Sequence, residues 1–366
     1  MADVHGGLAV TPAISHHGAD DATGKIGETV RLVAAEHRVV LVLVMAYIAA
    51  GGIFLTGAHR PWPLTFYDSL FGVAWITLSA VWLLWQYIRS PRRLCRAMVP
   101  VRVAAALLIP TIAIPTEITF QSLKQSFGPV RGFVADPVLH QLDIHIHGRM
   151  AWQWLTPLLR HARLVAAVDT LYFGWFGALM VFVLWASWSR HRELRQRAVT
   201  AFLLLWILAG TLVAGFASSG GPCYFGKIVA GPNPYQPLLT RLDAIGDAGN
   251  PLQARRNQNG LWALRQSDRW GFFAGISAMP SLHVAIAVLY VIITSRRSRM
   301  LALLLAMYAV VIDVGSVMLG WHYAVDGYMG ALLAYVCWRL AGWLLDGPDS
   351  EAAQRVEALI ARRRCA

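Results

Sequence analysis

Hydrophobic residues in this chain gather in long stretches that are separated by polar segments. Each stretch is about 20 residues long, which suits a helix that crosses roughly 30 Å of hydrocarbon. The pattern predicts spans at 38–57, 66–88, 99–121, 165–188, 198–217, 279–295, 299–318 and 323–345. It therefore predicts an all-α fold, a polytopic membrane helix bundle of about eight transmembrane helices.

The rest of the chain divides around this one membrane domain. Residues 1–37 are polar and glycine-rich, which predicts a disordered cytoplasmic tail, and 346–366 are expected to form a basic cytoplasmic tail. The transmembrane catalytic domain is expected at 38–345. Because the first segment lacks the basic stretch and cleavage site of a secretory signal, the first span should remain as an anchor.

Composition and charge agree with a chain solvated by lipid. Of the 366 residues, 57% are hydrophobic and 14% are charged, which excludes an ordinary soluble domain. The 32 Lys and Arg residues outnumber the 20 Asp and Glu residues and give a net charge of +12. In a soluble protein this balance would raise the question of nucleic acid. Topology and anionic headgroups account for it here, so no nucleic-acid partner is expected.

The positions of the arginines predict the side of the membrane on which each loop lies. They cluster between spans two and three, four and five, and six and seven, whereas 58–65 and 319–322 carry only Arg60. By the positive-inside rule, both termini and the clusters are cytoplasmic, and the long connections 122–164 and 218–278 lie outside. The clustered residues are Arg89, Arg92, Arg93, Arg96, Arg102, Arg190, Arg192, Arg195, Arg197, Arg296, Arg297 and Arg299. Of the cysteines, only Cys223 falls in an outer loop, so no intramolecular disulfide is expected.

The first segment with candidate chemistry is 277–283 (SAMPSLH), at the start of predicted span six. Pro280 suits the first helical position, and Ser277 or the Met279 backbone would close the helix start. Free N–H groups and the helix dipole make such an end a site for an anion, with the Ser281 hydroxyl and the His283 ring nearby. The segment therefore predicts a phosphate-binding helix start.

The second segment is 320–326 (GWHYAVD), at the start of predicted span eight. A spacing of four puts His322 and Asp326 on one helical face, where the carboxylate can hold one ring nitrogen and leave the other as a nucleophile or base. A lone histidine near a span end is more often an interfacial or core residue. However, the predicted topology brings His283 and His322 to one membrane depth although they are 39 positions apart. That coincidence favours a shared site.

These residues resemble the paired histidine motifs of the type 2 phosphatidic acid phosphatase superfamily, in the PSLH of 280–283 and the HYxxD of 322–326. The HYxxD form more narrowly resembles the inositol phosphorylceramide synthase (inositolphosphotransferase) branch, which is also similar to sphingomyelin synthases. Residues 136–175, with Asp136, Asp143 and His147, resemble the loop that precedes the core helices of that branch. The resemblance covers about 130–345 and implies a six-helix phosphatase-like core.

The resemblance implies a metal-independent transfer through a covalent phosphohistidine, without a cofactor. By analogy, His322 attacks phosphorus, Asp326 orients and charges it, and His283 protonates the leaving oxygen. An imidazole with an ordinary pKa of about 6.5 can supply that proton. The chain departs from the phosphatases at Ser316, six residues before the second histidine, where they carry arginine. Their first motif, Lys followed by Arg-Pro, has no clean match.

Cations for the phosphate are therefore expected from the second outer loop. Lys227 is the first choice because it follows the glycine-containing run 219–224, where the backbone can approach a ligand closely. Arg269 and Arg265 come next, and Ser281 and Tyr323 complete the expected substrate-binding set. Each cation taken singly is more often a solvated loop charge. The other cations of this loop are Arg241, Arg255 and Arg256.

The first outer loop contains a second cluster of polar residues, His140, Asp143, His145 and His147, whose spacing could recruit zinc. His145 and His147 share one side only in an extended segment, and no cysteine is nearby. The resembling family also needs no metal, so none is expected.

The leading functional hypothesis is a lipid phosphotransferase that moves a phosphate-linked headgroup from a phospholipid donor to a lipid alcohol such as ceramide. The alternative is a phosphatase of a lipid phosphate or polyprenyl diphosphate, which the missing arginine disfavours. A transporter would place ionisable residues across the whole membrane depth. Here they gather at one face, with Asp313 in span seven as an exception. The expected location is a bacterial inner membrane with the active site on the periplasmic face.

Overall fold

A computed structural model describes residues 34, 37–61, 99–189, 191–267, 269–271 and 274–346, without the side chains of 99–107 and 110. Throughout this part of the chain the regular secondary structure is helical, which confirms the all-α membrane bundle. Predicted span two, at 66–88, lies outside it, as do the tails predicted at 1–37 and 346–366 except residues 34, 37 and 346.

The described helices follow one another with short connections. In chain order they are α1 (Arg38–Gly57), α2 (Val99–Arg131), α3 (Asp136–His147), α4 (Ala151–Trp154), α5 (Thr156–Leu159), α6 (Ala162–Phe173), α7 (Trp175–Trp188), α8 (Arg192–Ile207), α9 (Ala214–Phe216), α10 (Phe225–Ile228), α11 (Gln236–Asp247), α12 (Gln253–Gln266), α13 (Leu282–Ser295), α14 (Arg299–Met318) and α15 (Ala324–Leu345). A π-helical turn, Leu208–Val213, joins α8 to α9, and a 3₁₀ turn, Pro222–Tyr224, precedes α10.

Five segments within the described part of the chain are long and apolar enough to cross a membrane, which makes this an integral membrane protein. They are α1, α6 with α7 (Ala162–Trp188), α8 through α9 (Arg192–Phe216), α14 and α15. The shorter apolar helix α13 and the long helix α2 coincide with predicted spans six and three. Helix α2 continues past the predicted end of span three to Arg131. Both outer connections are also largely helical rather than irregular.

Helix α13 lies at the centre of the bundle, packed against both α14 and α15. Its buried residues surround most of its circumference, as expected of a helix with no solvent-facing side. Helix α15 approaches it closely because position 330 is glycine, and a Cβ there would strike the Ser281 carbonyl. The Ser281 amide also donates to the Asp326 carbonyl at 3.0 Å. The starts of α13 and α15 are therefore held together.

The predicted cytoplasmic turns meet at the opposite end of the bundle. Arg297, just after α13, hydrogen-bonds to the His191 ring, just before α8. Arg197 near the start of α8 donates from Nε to the Trp338 carbonyl at 3.2 Å, close to the end of α15. The turns 189–197 and 296–299 thus share one end, which supports their predicted placement on one side of the membrane.

Cysteine labelling tests this predicted sidedness. Ala248, between α11 and α12, and Arg296, after α13, are both exposed. In intact cells, an impermeant maleimide should label Ala248→Cys, because the connection 218–278 is predicted to lie outside, and should leave Arg296→Cys unlabelled until the membrane is permeabilised. The reverse pattern would place both histidine segments on the cytoplasmic side.

Candidate active site

The ring of His322 is held by the first turn of α15. Its Nδ1 lies 3.2 Å from Asp326 Oδ2, and the same oxygen accepts from the Tyr323 amide at 3.1 Å. Asp326 is fully buried and His322 is 7% exposed. A carboxylate on Nδ1 favours the tautomer whose Nε2 carries a lone pair, available for attack or for a proton. The hydrogen bond expected from the sequence is present, although His322 precedes the helix instead of lying on its face.

His283 lies in the first turn of α13 among aromatic rings. Its imidazole stacks on Tyr172, with centroids 4.8 Å apart and planes at 14°, and its centroid is 4.3 Å from that of Trp175. The Phe176 ring meets it edge-on at 6.1 Å. Packed rings of this kind restrict the orientation of the imidazole, so its edge is aimed in a defined direction.

The start of α13 differs from the prediction. Helix α13 begins at Leu282, and Ser281 is its N-cap, whose hydroxyl accepts from the Val284 amide at 3.4 Å. The placement of Pro280 at the first helical position, with Ser277 or Met279 closing the helix start, is therefore wrong. A serine hydroxyl satisfies the first free amides of a helix well, and here it does so one residue after the proline.

Both histidines line one cavity of about 660 Å³, the histidine cavity. Its wall is largely aromatic, and it also contains two cations, Lys124 of α2 and Arg256 of α12. The aromatic residues are Phe120, Tyr172, Phe173, Trp175, Phe176, Trp206, Tyr224 and Trp321. The volume falls in the range of about 300–1,000 Å³ that is usual for sites of small molecules and lipid headgroups. Two imidazoles and two cations in such a chamber suit phosphoryl transfer.

Sequence reasoning missed Lys124. It lies on the part of α2 that continues beyond predicted span three, and its side chain packs against Gly275, so it reaches the cavity from a neighbouring segment. The sequence did contain a signal for it. Lys124 and Arg131 match the lysine and arginine of the first phosphatase motif, but Gly132 stands where that motif has proline. Arg256 was among the loop cations considered, without preference.

The predicted substrate-binding residues lie around the histidine cavity without lining it. Ser281 is fully buried as the helix cap, and the hydroxyl of buried Tyr323 donates to Asp136 at 2.8 Å. Lys227 is exposed, with its ammonium 5.0 Å from the centroid of Trp262. Their roles in binding substrate remain predictions.

Arg265 and Arg269 line a separate small cavity beside the histidine cavity. The structure therefore brings His283, His322 and Asp326 together and sets these two arginines apart from them. Whether they bind the substrate remains a prediction.

Asp136, the first residue of α3, is the centre of the polar network behind His322. Its Oδ1 accepts from the Ser219 hydroxyl at 3.0 Å, the Gly221 amide at 2.8 Å and the Tyr323 hydroxyl at 2.8 Å, and its Oδ2 accepts from the Gly220 amide at 2.8 Å. The carboxylate is fully buried. It joins the turn after α9 to the residue that follows His322.

The turn 218–223 also bonds to the segments that carry the histidines. The Ser219 carbonyl accepts from the Ala278 amide at 2.9 Å, and the Cys223 amide donates to the Gly320 carbonyl at 2.9 Å. Gly221 has φ of +85°, and a Cβ there would collide with the Trp321 carbonyl. Only glycine allows this approach without strain.

A second carboxylate, Asp143, bonds to the first amide of α15. Its Oδ1 accepts from the Ala324 amide at 2.9 Å and its Oδ2 from the Ala151 amide at 3.0 Å. His147 Nδ1 contacts the Asp143 carbonyl at 2.7 Å, and His140 Nδ1 bonds the Tyr235 hydroxyl at 2.8 Å. Burial lowers the pKa of His140, which favours its neutral form. Within the described residues no group of three or more His, Cys, Asp or Glu is arranged to hold a metal ion.

Two further ionisable groups lie near the histidines. Cys223 is buried, and burial raises the pKa of its thiol, so it stays protonated and is a poor nucleophile. Asp313, which the sequence left unexplained, lies against Gly327 of α15, where a Cβ would collide with its carboxylate. The imidazoles are therefore the candidate nucleophiles.

Comparison with known proteins agrees with this geometry. The PAP2 superfamily matches residues 138–340, more than half of the chain, and the match includes both histidine segments. No curated protein and no solved structure matches the chain. With paired histidines lining one cavity and a family match over this whole region, the chain belongs to the PAP2 superfamily, that of the type 2 phosphatidic acid phosphatases.

Proposed function

We propose that this protein is a membrane phosphotransferase that moves a phosphate-linked headgroup from a phospholipid to a lipid alcohol through a phosphohistidine at His322. Membership of the superfamily supports an enzyme that acts on phosphate esters of lipids. The finer assignment, an inositol phosphorylceramide synthase-like transferase that uses ceramide or a similar alcohol, rests on the HYxxD form and on the site. Its expected place is a bacterial inner membrane, with the site on the periplasmic face.

The observation that carries the proposal is the pairing of His322 with Asp326 in a cavity that also contains His283. His322 Nε2 attacks phosphorus, and the bond from phosphorus to the glycerol oxygen breaks while His283 protonates that oxygen. The headgroup phosphate is then covalently bound to His322, and diacylglycerol leaves. In the second half the acceptor hydroxyl gives its proton to His283 and attacks phosphorus, which releases His322 and the new phosphodiester.

Lys124 and Arg256 supply the positive charge for the phosphate in this scheme. The transferring group carries negative charge on its non-bridging oxygens, and fixed cations in a partly dehydrated cavity stabilise it strongly. Asp326 stabilises the positive charge that develops on His322 as it forms the bond to phosphorus. The chain's own residues therefore provide nucleophile, acid and charge stabilisation.

The surroundings of the histidine cavity support a lipid substrate. An apolar cavity of about 460 Å³, between α1, α2, α7 and α8, shares Trp175, Phe176 and Trp206 with it. A hydrocarbon chain gains about 0.8 kcal/mol for each methylene transferred from water, so an apolar chamber beside the phosphate site favours an acyl or similar chain.

The serine at position 316, where the phosphatases carry arginine, supports transfer to a lipid alcohol over hydrolysis by water. Ser316 is fully buried, its hydroxyl donates to the Asp313 carbonyl at 2.7 Å, and its own carbonyl accepts from the Trp321 and His322 amides at 2.9 Å and 3.2 Å. It therefore shapes the turn that carries His322 instead of binding phosphate. The aromatic wall of the histidine cavity further disfavours a free water nucleophile and suits a second lipid.

Product analysis tests the proposal directly. Purified protein in mixed micelles receives phospholipids labelled in the headgroup phosphate, with graded amounts of ceramide or another lipid alcohol. We expect a labelled acceptor lipid that increases with acceptor concentration, together with one diacylglycerol per transfer. Protein carrying His322→Ala is the control for background transfer. Steady release of the water-soluble headgroup phosphate, with no lipid product from any acceptor, would instead show that water is the acceptor and that the protein is a hydrolase.

A further inference from the structure

Arg265 and Arg269 are cations that the proposed reaction leaves unused. With Arg60 and Lys124 they line a small cavity of about 60 Å³, here called the arginine cavity, between α2 and residues 264–265, 269–270, 274 and 276. Among the described residues that line it, none carries a carboxylate. Positive charges around one small space repel one another, and an anion bound between them lowers that repulsion.

The arginine cavity has the features of a built site. The Arg265 guanidinium lies over Phe133, 4.6 Å from the ring centroid, and rests against Gly128, where a Cβ would collide with it. The Gly271 amide donates to Gln125 Oε1 at 3.1 Å, which holds the segment after α12 against α2. The position of the guanidinium is therefore set by packing on two sides.

A buried hydroxyl supplies an independent sign of a ligand. Ser122 lines the arginine cavity, is 2% exposed, and its Oγ has no hydrogen-bond partner. A buried hydroxyl without a partner requires an explanation, and a bound water or ion is one such explanation. Burial, together with the nearby charge of Arg60, also lowers the pKa of the Arg265 guanidinium. An anion bound beside Arg265 would stabilise its charged form against both causes.

The arginine cavity adjoins the histidine cavity but is distinct from it. Lys124, Leu264 and Ile276 line both, whereas the histidines line only one. A space of about 60 Å³ accommodates a few groups the size of a water molecule. The oxygens of one phosphate are groups of that size, whereas a lipid chain is too large. Arginine forks match phosphate oxygens two at a time.

We propose that Arg60, Lys124, Arg265 and Arg269 form a second phosphate-binding site, which holds a phosphate group that is not the one transferred. The ligand is a phosphate group, either on the headgroup of a membrane lipid or as free inorganic phosphate. This proposal is independent of the transfer reaction, since a phosphatase with the same two cavities would bind phosphate there as well.

The test is equilibrium binding of radiolabelled inorganic phosphate to the full-length protein in detergent at low ionic strength. We expect wild-type protein to bind at two classes of site. The double variant Arg265→Gln/Arg269→Gln should lose one class, with affinity reduced about 10²-fold, because hydrogen bonds to two charged groups are removed. Arg149→Gln is the matched control, since Arg149 is exposed and its guanidinium lies over Trp154, away from both cavities.

Two further measurements make the result decisive. Arg265→Lys/Arg269→Lys keeps the charge without the fork and should weaken the second class by about tenfold, which provides a readout if the glutamine variant does not fold. Short-chain phosphatidate that displaces the labelled phosphate at much lower concentration than unlabelled phosphate identifies a lipid headgroup as ligand, and equal potency identifies free phosphate. Equal binding by wild type and both double variants would overturn the proposal.

Discussion

Replacement of His322 by alanine should abolish the covalent phosphoenzyme and reduce turnover on the order of 10⁴- to 10⁶-fold, the range found when a catalytic nucleophile is removed. His322 is the imidazole whose Nδ1 is held by Asp326 at 3.2 Å, so its Nε2 is the atom positioned to attack. The measurement is trapping of radiolabelled protein after brief mixing with labelled phospholipid, alongside steady-state turnover. Asp326→Asn should be impaired by about 10⁴-fold, because an amide presents the wrong partner to Nδ1.

His283→Ala separates the two histidine roles. Loss of a general acid costs about 10²- to 10⁴-fold, and the loss should largely disappear with a donor whose leaving group needs no proton, such as a nitrophenyl phosphodiester. The same donor should not rescue His322→Ala. His145→Ala serves as the matched control, since His145 is exposed on α3 and should leave turnover unchanged. Near-normal turnover of His322→Ala would remove it as the nucleophile.

Asp136→Asn should both destabilise the protein and suppress activity. The carboxylate accepts four hydrogen bonds at 2.8–3.0 Å within a fully buried site. The amide NH₂ of an asparagine would face at least one of the N–H or O–H groups that now donate to the carboxylate, so that group would lose its acceptor. Each buried polar group left unsatisfied costs about 1–3 kcal/mol. We expect a lower unfolding temperature in detergent and at least about a tenfold loss of turnover at a temperature where the variant remains folded.

Two variants with smaller expected losses of stability serve as comparisons for Asp136→Asn. Tyr323→Phe removes only the hydrogen bond to Asp136, so its cost should be about 1 kcal/mol. Asp243→Asn removes an exposed ion pair with Arg255, and such pairs contribute between roughly 0 and 1 kcal/mol. If Asp136→Asn behaves like Asp243→Asn, the network around His322 does not depend on the carboxylate.

Features that depend on nearby residues in the sequence, such as hydropathy and residue spacing, could be predicted. Hydropathy located the membrane helices, because spans of apolar residues report directly on the solvent they meet. The contact between His322 and Asp326 was also predicted, although His322 lies just before α15 and reaches Asp326 in the first helical turn instead of along one helical face. Lys124 was not, because it lies on α2 beyond the apolar stretch and reaches the histidine cavity only through packing against Gly275.

The part of the site that sequence reasoning did not reach is made by contacts between distant segments. Asp136 bonds to residues more than 80 positions away, at 219–221, and to Tyr323. No periodicity reports on such a pairing. The predicted start of α13 was wrong for a local reason. Proline at the first helical position and a serine hydroxyl as the cap are both favourable helix starts, they lie within three residues of each other, and the helix begins at the serine cap.

The close contact of α13 with α15 has an evolutionary consequence. Gly330 lets α15 lie against the Ser281 carbonyl, and the Ser281 amide is hydrogen-bonded to the Asp326 carbonyl, so the reaction chemistry is carried by one closely packed pair of helix starts. The arginine cavity and much of the wall of the histidine cavity come instead from α2, α12 and the segment after α12. Substitutions there can change which lipid is accepted without altering the reacting centre. New substrate preferences can therefore arise by mutation of the outer layer while the catalytic pair is inherited unchanged.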